Sequence, residues 1–347
     1  MTLTEVRSRY SAAAGCDALY EVSDPRLGLV GFIALHDLAS GPGVGGIRRW
    51  AYASAREAVA DAVRLAEQMT LKTALAGLPA GGAKAVLLDR PGLDVAAAYG
   101  ALGEAIEALG GQYFSGADLG TGEEELRFVR AHTGHVNFID NDQAGATATG
   151  VLAAVDAALA HLGQSAAGQA ALVQGLGAVG GLVARGWAER GGALWASEPR
   201  PERLASLRAA HPGARTWPVG DVGADVALLA PCASGAVVSA ENVASLRCRV
   251  ICGSANVQLE TPCLAEALAE AGILYVPDFA ANAGAAIEGV LTRVYGATEE
   301  VRARVAREVA SIGDRVASIL AEAAESGWTP LEVALARVDR PRPACGP

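Results

Sequence analysis

The chain has 347 residues, 51% hydrophobic but only 5% aromatic, with a formal net charge of -10. This length implies two domains with sizeable cores filled by alanine, leucine and valine. The acidity argues against nucleic acid or an anionic membrane as the main partner. No apolar run approaches the roughly 18–20 residues that span a bilayer, and the opening MTLTEVRSRYSAAAG lacks the apolar core of a signal peptide. The expectation is a cytoplasmic protein acting on a small molecule.

In chain order, a buried strand runs from about residue 28 into the polar pair His36-Asp37. The glycine-rich loop Gly41-Pro42-Gly43-Val44-Gly45-Gly46 follows. Residues 54–70 read as a helix: Ala58, Ala62, Leu65 and Met69 share one face, and Ser54 with Glu57 forms a capping box. Residues 85–88 read as a short strand stopped by Asp89-Arg90-Pro91-Gly92. Residues 95–109 form an alanine-rich helix ended by Gly110-Gly111. A strand at 113–116 leads to Asp118. Around 137–149 the pattern loosens, as at a hinge into a second domain.

Beyond the hinge, a helix at 150–162 precedes strands at 170–174, 193–197, 226–230, 250–252 and 274–276. The fold class is therefore α/β in two domains: an N-terminal α/β domain and a C-terminal doubly wound, Rossmann-type domain. The boundaries expected are 1–140 and 141–324, with the helical segment from about 325 to 347 packing back on the first domain. The cysteines Cys16, Cys232, Cys248, Cys252, Cys263 and Cys345 form no CxxC pair and read as free, mostly buried thiols. Of the histidines only His132 and His135 are close, with no acid or cysteine beside them to complete a metal site, so no metal is expected.

The sharpest local signal in the second domain is Gly175-Leu176-Gly177-Ala178-Val179-Gly180, between a strand and a helix. In this motif the first glycine makes a tight turn, the second admits a pyrophosphate, and the third lets helix and strand pack. Glu198 ends the next strand 23 residues after Gly175. An acid near that offset bonds a ribose 2′-hydroxyl and repels a 2′-phosphate, which favours NAD over NADP. Arg200 and Arg203 stand close by and pull the other way.

In the first domain, Lys72 and Lys84 lie twelve residues apart. Lys84 sits between apolar neighbours; burial would lower its pKa and suit it to general-base work. A lysine at a strand start whose stem snorkels outward is the competing reading. A phosphate loop is rejected: the lysine stands one position late and Ala85 replaces the hydroxyl that would hold magnesium. Asp118 lies at a strand end flanked by glycines, a common setting for a catalytic group and equally for a turn aspartate.

In this order the segments GPGVGGIRRW (41–50), MTLKTALAGLPAGGAKAVLLD (69–89), GADLGTGEEEL (116–126), APCASGAVV (230–238), GSANVQLE (253–260) and PDFAANAGAAIEG (277–289) resemble the glutamate/leucine/phenylalanine/valine dehydrogenase family. The likeness is to its leucine and phenylalanine branch and runs from about residue 27 to 325. It implies an NAD-dependent oxidoreductase that reversibly converts an L-amino acid to the 2-oxo acid and ammonia. Lys72 would bind the α-carboxylate. Lys84 would be the base that activates water, and Asp118 would assist proton transfer at the amine. Gly45, Gly46 and Met69 would lie at the substrate, and Thr147 and Asn256 on the nicotinamide side. Domain closure would exclude water, and a homo-oligomer is implied.

The chain departs from that pattern at Ala83, where a third glycine is usual, at Ala144-Gly145-Ala146, where a proline commonly precedes Thr147, and at Val257, where a second asparagine is usual. Small residues at Gly116, Ala286 and Gly289 imply room for a bulky or aromatic side chain such as phenylalanine or tryptophan. A branched-chain substrate is the alternative, and a catalytically silent binding homologue is a further one.

Overall fold

The structure, a computed structural model, describes residues 1–137, 141–233, 235 and 237–340. Two compact units result: Met1–Asn141 with Gly289–Thr298, and Asp142–Glu288 with Glu299 onward. The sheets bear out the two-part α/β class.

The first unit contains strands β1 (Thr2–Glu5), β2 (Ala18–Asp24), β3 (Leu29–Asp37), β4 (Gly43–Val44), β5 (Ile47–Trp50), β6 (Gly81–Leu88) and β7 (Tyr113–Phe114). Helices α1 (Ala55–Leu75), α2 (Val95–Ala108) and α3 (Glu123–Arg130) accompany them. The sheet order is β1-β2-β3-β6-β4-β7, with β5 also paired to β6. The pairings from β1 through β6 are antiparallel; β4 and β5 run parallel to β6, and β7 parallel to β4.

Every residue of β6 is buried, and its side chains alternate between two cores. Ala83, Ala85 and Leu87 enter the core shared with α2, while Val86 and Leu88 enter the one shared with α1. Lys84 has the parity of Val86 and so belongs to the α1 side. Two elements run longer than their sequence patterns suggest. The strand expected at 85–88 begins at Gly81, because its glycines pair with β4 on one side and β3 on the other. The helix expected to end at Thr70 continues to Leu75, which places Lys72 on its last turn. The segment read as a glycine loop contains β4 and β5, whose register is set by β6 rather than by their own composition.

The second unit has strands β8 (Ala170–Gln174), β9 (Ala193–Ser197), β10 (Arg215–Thr216), β11 (Leu228–Pro231), β12 (Val250–Ile251) and β13 (Leu274–Tyr275). All are parallel, in the order β10-β9-β8-β11-β12-β13. The order reverses beside β8, the position at which doubly wound sheets bind ligands. The helices are α4 (Gln143–His161), α5 (Ala178–Glu189), α6 (Pro201–Ala210), α7 (Leu264–Glu270), α8 (Asp278–Ala281), α9 (Gly284–Tyr295), α10 (Glu299–Ala310), α11 (Ile312–Ser326) and α12 (Pro330–Ala336). The division between units falls inside α9.

Three expectations differ from what is found. The hinge segment is helical from Gln143, capped by the Asp142 carboxylate, which accepts from the Gly145 N–H at 2.9 Å. The described C-terminal helices stay with the second unit: Ile312, Val316, Ile319 and Leu320 bury the face of α11 that packs on α4, and α12 packs on α11. Cys16, Cys232, Cys248 and Cys252 are free thiols, but Cys263 is disulfide-bonded, against the sequence reading. Among the described residues no helix is long and apolar enough to cross a membrane.

Candidate active site

Lys84 and Asp118 meet. The Lys84 ammonium lies 2.7 Å from Asp118 Oδ2, with side-chain exposures of 6% and 20%. The strand pairing dictates this encounter. The segment from Phe114 to Leu119 runs alongside β4 and β5, and its carbonyls accept from the N–H groups of Gly45, Ile47 and Arg49 at 2.9–3.1 Å. Gly46 permits the approach, since a Cβ there would collide with the Ala117 carbonyl and stand 2.9 Å from Asp118 Cβ. The chain turns just beyond, the Asp118 carbonyl accepting from the Thr121 N–H at 2.9 Å.

A second cation shares the carboxylate. Arg48 Nε on β5 donates to the same Asp118 Oδ2 at 3.0 Å, and its Nη1 reaches Asp61 Oδ2 on α1 at 3.1 Å. The Tyr52 hydroxyl donates to that Asp61 oxygen at 2.7 Å, and Arg64 donates to Asp61 Oδ1 at 2.6 Å. Buried charges require such partners.

Burial pushes the Lys84 ammonium below its ordinary pKa; Asp118 opposes this and Arg48 adds to it. Burial by itself would raise the Asp118 carboxyl, but the Lys84 and Arg48 cations reverse that and hold it well below the carboxylate range. Desolvation and the Asp61 carboxylate together push the Tyr52 hydroxyl far up, so it remains a donor. The arrangement thus offers an ionised carboxylate next to an amine that yields its proton more readily than a free lysine.

Lys72 is buried on the last turn of α1. A Cβ on Gly45 would collide with the Ala83 carbonyl and come within 3.4 Å of Met69 Cγ, which puts Met69 beside Gly45. The buried Gly116 pairs its carbonyl with the Ile47 N–H at 2.9 Å. At Gly289 a Cβ would stand 3.1 Å from the Asn137 amide, so that side chain already occupies the space a larger residue would take. Ala286 is buried on α9 in the second unit.

In the second unit the glycine motif forms the expected turn between β8 and α5. Gly175 adopts φ +87, and a Cβ on Gly180 would run into the Gly175 carbonyl. Ala178 is exposed and Val179 half-buried on the first turn of α5, whose N-cap is Gly177. Glu198 stands at the end of β9, its carboxylate accepting from the Leu176 N–H at 2.7 Å and the Arg200 N–H at 3.1 Å. Two further lone pairs remain for a ribose diol. The Arg203 guanidinium lies 3.5 Å from Glu198. A glycine turn that excludes a Cβ at Gly175 and Gly180, a helix N-terminus and an acid at the next strand end fit a dinucleotide.

Thr147 is buried on α4, its hydroxyl donating to the Gln143 carbonyl at 2.8 Å. Asn256 Oδ1 accepts from Asn282 Nδ2 at 3.3 Å, and Asn282 also donates to the Ser254 and Ala255 carbonyls at 3.2 Å. Val257 has φ 55, a left-handed backbone that a β-branched residue seldom adopts and asparagine tolerates. Its departure from the family pattern is thus a backbone fact as well as a side-chain one. Among the described residues no group of three His, Cys, Asp or Glu is placed to hold a metal.

Arg48, Tyr52, Asp61 and Asn282 were missed from the sequence. The available hint for Arg48 was an arginine pair set between Ile47 and Trp50. A second signal was stronger. Lys72 and Lys84 are the only lysines in the chain, every other basic side chain of the Lys/Arg class being arginine. Lysine survives only where the group is buried, and unlike arginine it can lose its proton.

Residues 20–135 match the family described as Glu/Leu/Phe/Val dehydrogenase, dimerisation domain, and residues 202–336 match Glutamate/Leucine/Phenylalanine/Valine dehydrogenase. The chain is 35% identical to leucine dehydrogenase from Geobacillus stearothermophilus over 309 residues, 86% of this chain and 83% of the relative. It is 34% identical to phenylalanine dehydrogenase from Lysinibacillus sphaericus over 294 residues, 80% of this chain and 76% of that one. Among solved structures, L-tryptophan dehydrogenase from Nostoc punctiforme superposes with a TM-score of 0.76 at 31% identity, covering 94% of this chain and 95% of that one.

Proposed function

The chain belongs to the Glu/Leu/Phe/Val dehydrogenase family of amino-acid oxidoreductases, and from that premise we propose that it oxidatively deaminates a bulky apolar or aromatic L-amino acid with NAD. The 2.7 Å contact between buried Lys84 and Asp118 carries this reading. Lys72, buried on the last turn of α1, binds the substrate carboxylate. Lys84, neutral when the amino acid reacts, accepts the proton of the water that adds to the imino carbon. Asp118, held ionised, assists proton transfer at the nitrogen by orienting and tuning Lys84 as ammonia leaves. Gly45, Gly46, Met69 and Gly116 line the amino-acid side of this site.

In the second unit, Gly175, Gly177, Ala178, Val179 and Gly180 hold the pyrophosphate of NAD and Glu198 its ribose, with Thr147 and Asn256 on the nicotinamide side. Asn282 orients Asn256. Bound there, NAD supplies the hydride acceptor. Small residues at Gly116 and Ala286 support phenylalanine or tryptophan over leucine or valine, whereas the space beside Gly289 is taken by Asn137. Self-association is proposed through residues 20–135, the segment matching the dimerisation domain, and light scattering on the purified protein measures it.

The deciding assay follows reduced-cofactor absorbance at alkaline pH with NAD, and separately NADP, across the L-amino acids. Turnover of phenylalanine or tryptophan with NAD is expected. Turnover of leucine or valine instead overturns the substrate preference while keeping the reaction, and no reduction with any amino acid overturns the reaction. Gly116→Ala combined with Ala286→Val should shift preference toward smaller substrates.

A further inference from the structure

Asp118 Oδ2 accepts from two cations at once, Lys84 at 2.7 Å and Arg48 at 3.0 Å. A base on Lys84 has to spend part of each cycle neutral. With Lys84 as its only partner, Asp118 would then be a half-buried carboxylate without a counterion, a costly state. Either the lysine would keep its proton or the carboxylate would take it up. Arg48 removes that dilemma because its guanidinium does not titrate in the working range. It is itself held in place: Asp61 Oδ2 lies 3.1 Å from Nη1 and is anchored by the Tyr52 hydroxyl at 2.7 Å.

We propose that Arg48, clamped by Asp61 and Tyr52, is a positioning residue for the reaction: it keeps Asp118 paired and fixed in orientation while Lys84 is neutral, so that the mobile proton resides on Lys84. The inference rests on the reading of Lys84 as the base. Charge inventory around Lys84 supports it. From the segment after β7 it faces Asp118, from β5 Arg48, and from α1 Asp61. Several other titratable groups on the packed elements are engaged elsewhere. His36 on β3 bonds the Thr70 hydroxyl at 2.9 Å. Arg49 faces Asp89 and Glu125, Arg64 bonds Asp61, and the Tyr113 hydroxyl donates to the Gly45 carbonyl at 2.8 Å. Lys72 lies on the last turn of α1. Arg48 and Asp61 act on Lys84 with opposite signs, Arg48 favouring the neutral amine and Asp61 the ammonium.

That opposition gives a test a merely structural role would not pass. Because the chain has only two lysines, ε-13C-lysine NMR of the full-length protein yields two side-chain signals, and Lys72→Arg assigns Lys84. Arg48→Gln should raise the Lys84 titration midpoint by about one pH unit, and Asp61→Asn should lower it by a smaller amount. The acid limb of the kcat/KM pH profile should follow in both directions, and Arg48→Lys should restore part of the Arg48→Gln shift. Should Arg48→Gln fail to fold, Asp61→Asn still carries the test.

A Lys84 midpoint unmoved by either variant, or moved the same way by both, overturns the proposal whatever the activity does. A midpoint that moves as expected without the pH profile following shows that Lys84 is not the base. That result overturns the base assignment, and Arg48's part in the reaction with it, and is distinguished from the first by the NMR signal alone.

Discussion

The two candidate sites are built from opposite materials. In the first unit the chemistry resides in side-chain charges: Lys84, Asp118, Arg48 and Asp61 are mostly buried and joined in that order by contacts of 2.7, 3.0 and 3.1 Å. In the second unit the binding surface is largely backbone, a turn whose shape depends on side chains being absent at Gly175 and Gly180, with Glu198 as its single buried carboxylate. Buried charges hold one another in place, so removing one atom disturbs several. A backbone cradle is insensitive to pH and intolerant of an added methyl group. The first kind of site suits proton transfer and the second the grip on a phosphate, which carries its own charge.

Substitutions can break this contrast. Lys84→Ala should have the largest effect, lowering kcat by about 10³-fold as expected for loss of a general base. Binding of NAD, followed by fluorescence titration, should persist, because the loop lies in the other unit. Loss of NAD binding in that variant would contradict the division of labour. Gly180→Ala should come next. Its Cβ would meet the Gly175 carbonyl, and overpacking of about 1–3 kcal/mol should weaken NAD binding by roughly ten- to a hundredfold. The pH profile of the reaction should be unchanged, and a shifted acid limb would show the two sites to be electrostatically linked.

Smaller effects sharpen the comparison. Glu198→Gln keeps an acceptor but loses the charge that repels a 2′-phosphate. With Arg200 and Arg203 already near it, the NADP-to-NAD ratio of kcat/KM should rise about tenfold; steady-state kinetics with both cofactors would read it. Val257→Asn should be the mildest change. Relieving a β-branched residue at φ 55 should stabilise the protein by about 1 kcal/mol, seen as a higher unfolding midpoint in urea at unchanged m. A lower midpoint would mean that the valine's packing outweighs its backbone strain.

The sequence by itself determined the class of the fold, the glycine turn with Glu198 after it, and Lys84 and Asp118 as residues of interest. Those features are local: a turn needs φ > 0 at fixed positions, a buried strand needs a run of apolar residues, and each is written in a few consecutive letters. The tertiary structure decided what lies between them. Only sheet pairing extends β6 back to Gly81, since glycines gain a strand conformation from neighbours on both sides. The same pairing turns the loop at 43–50 into strands and so brings Arg48 onto Asp118, seventy positions away. The α11 apolar face chose α4 as its partner, which kept the described C-terminal helices in the second unit. A charge compensated across such distances leaves no local pattern, because neither partner's neighbours in sequence carry any trace of the other.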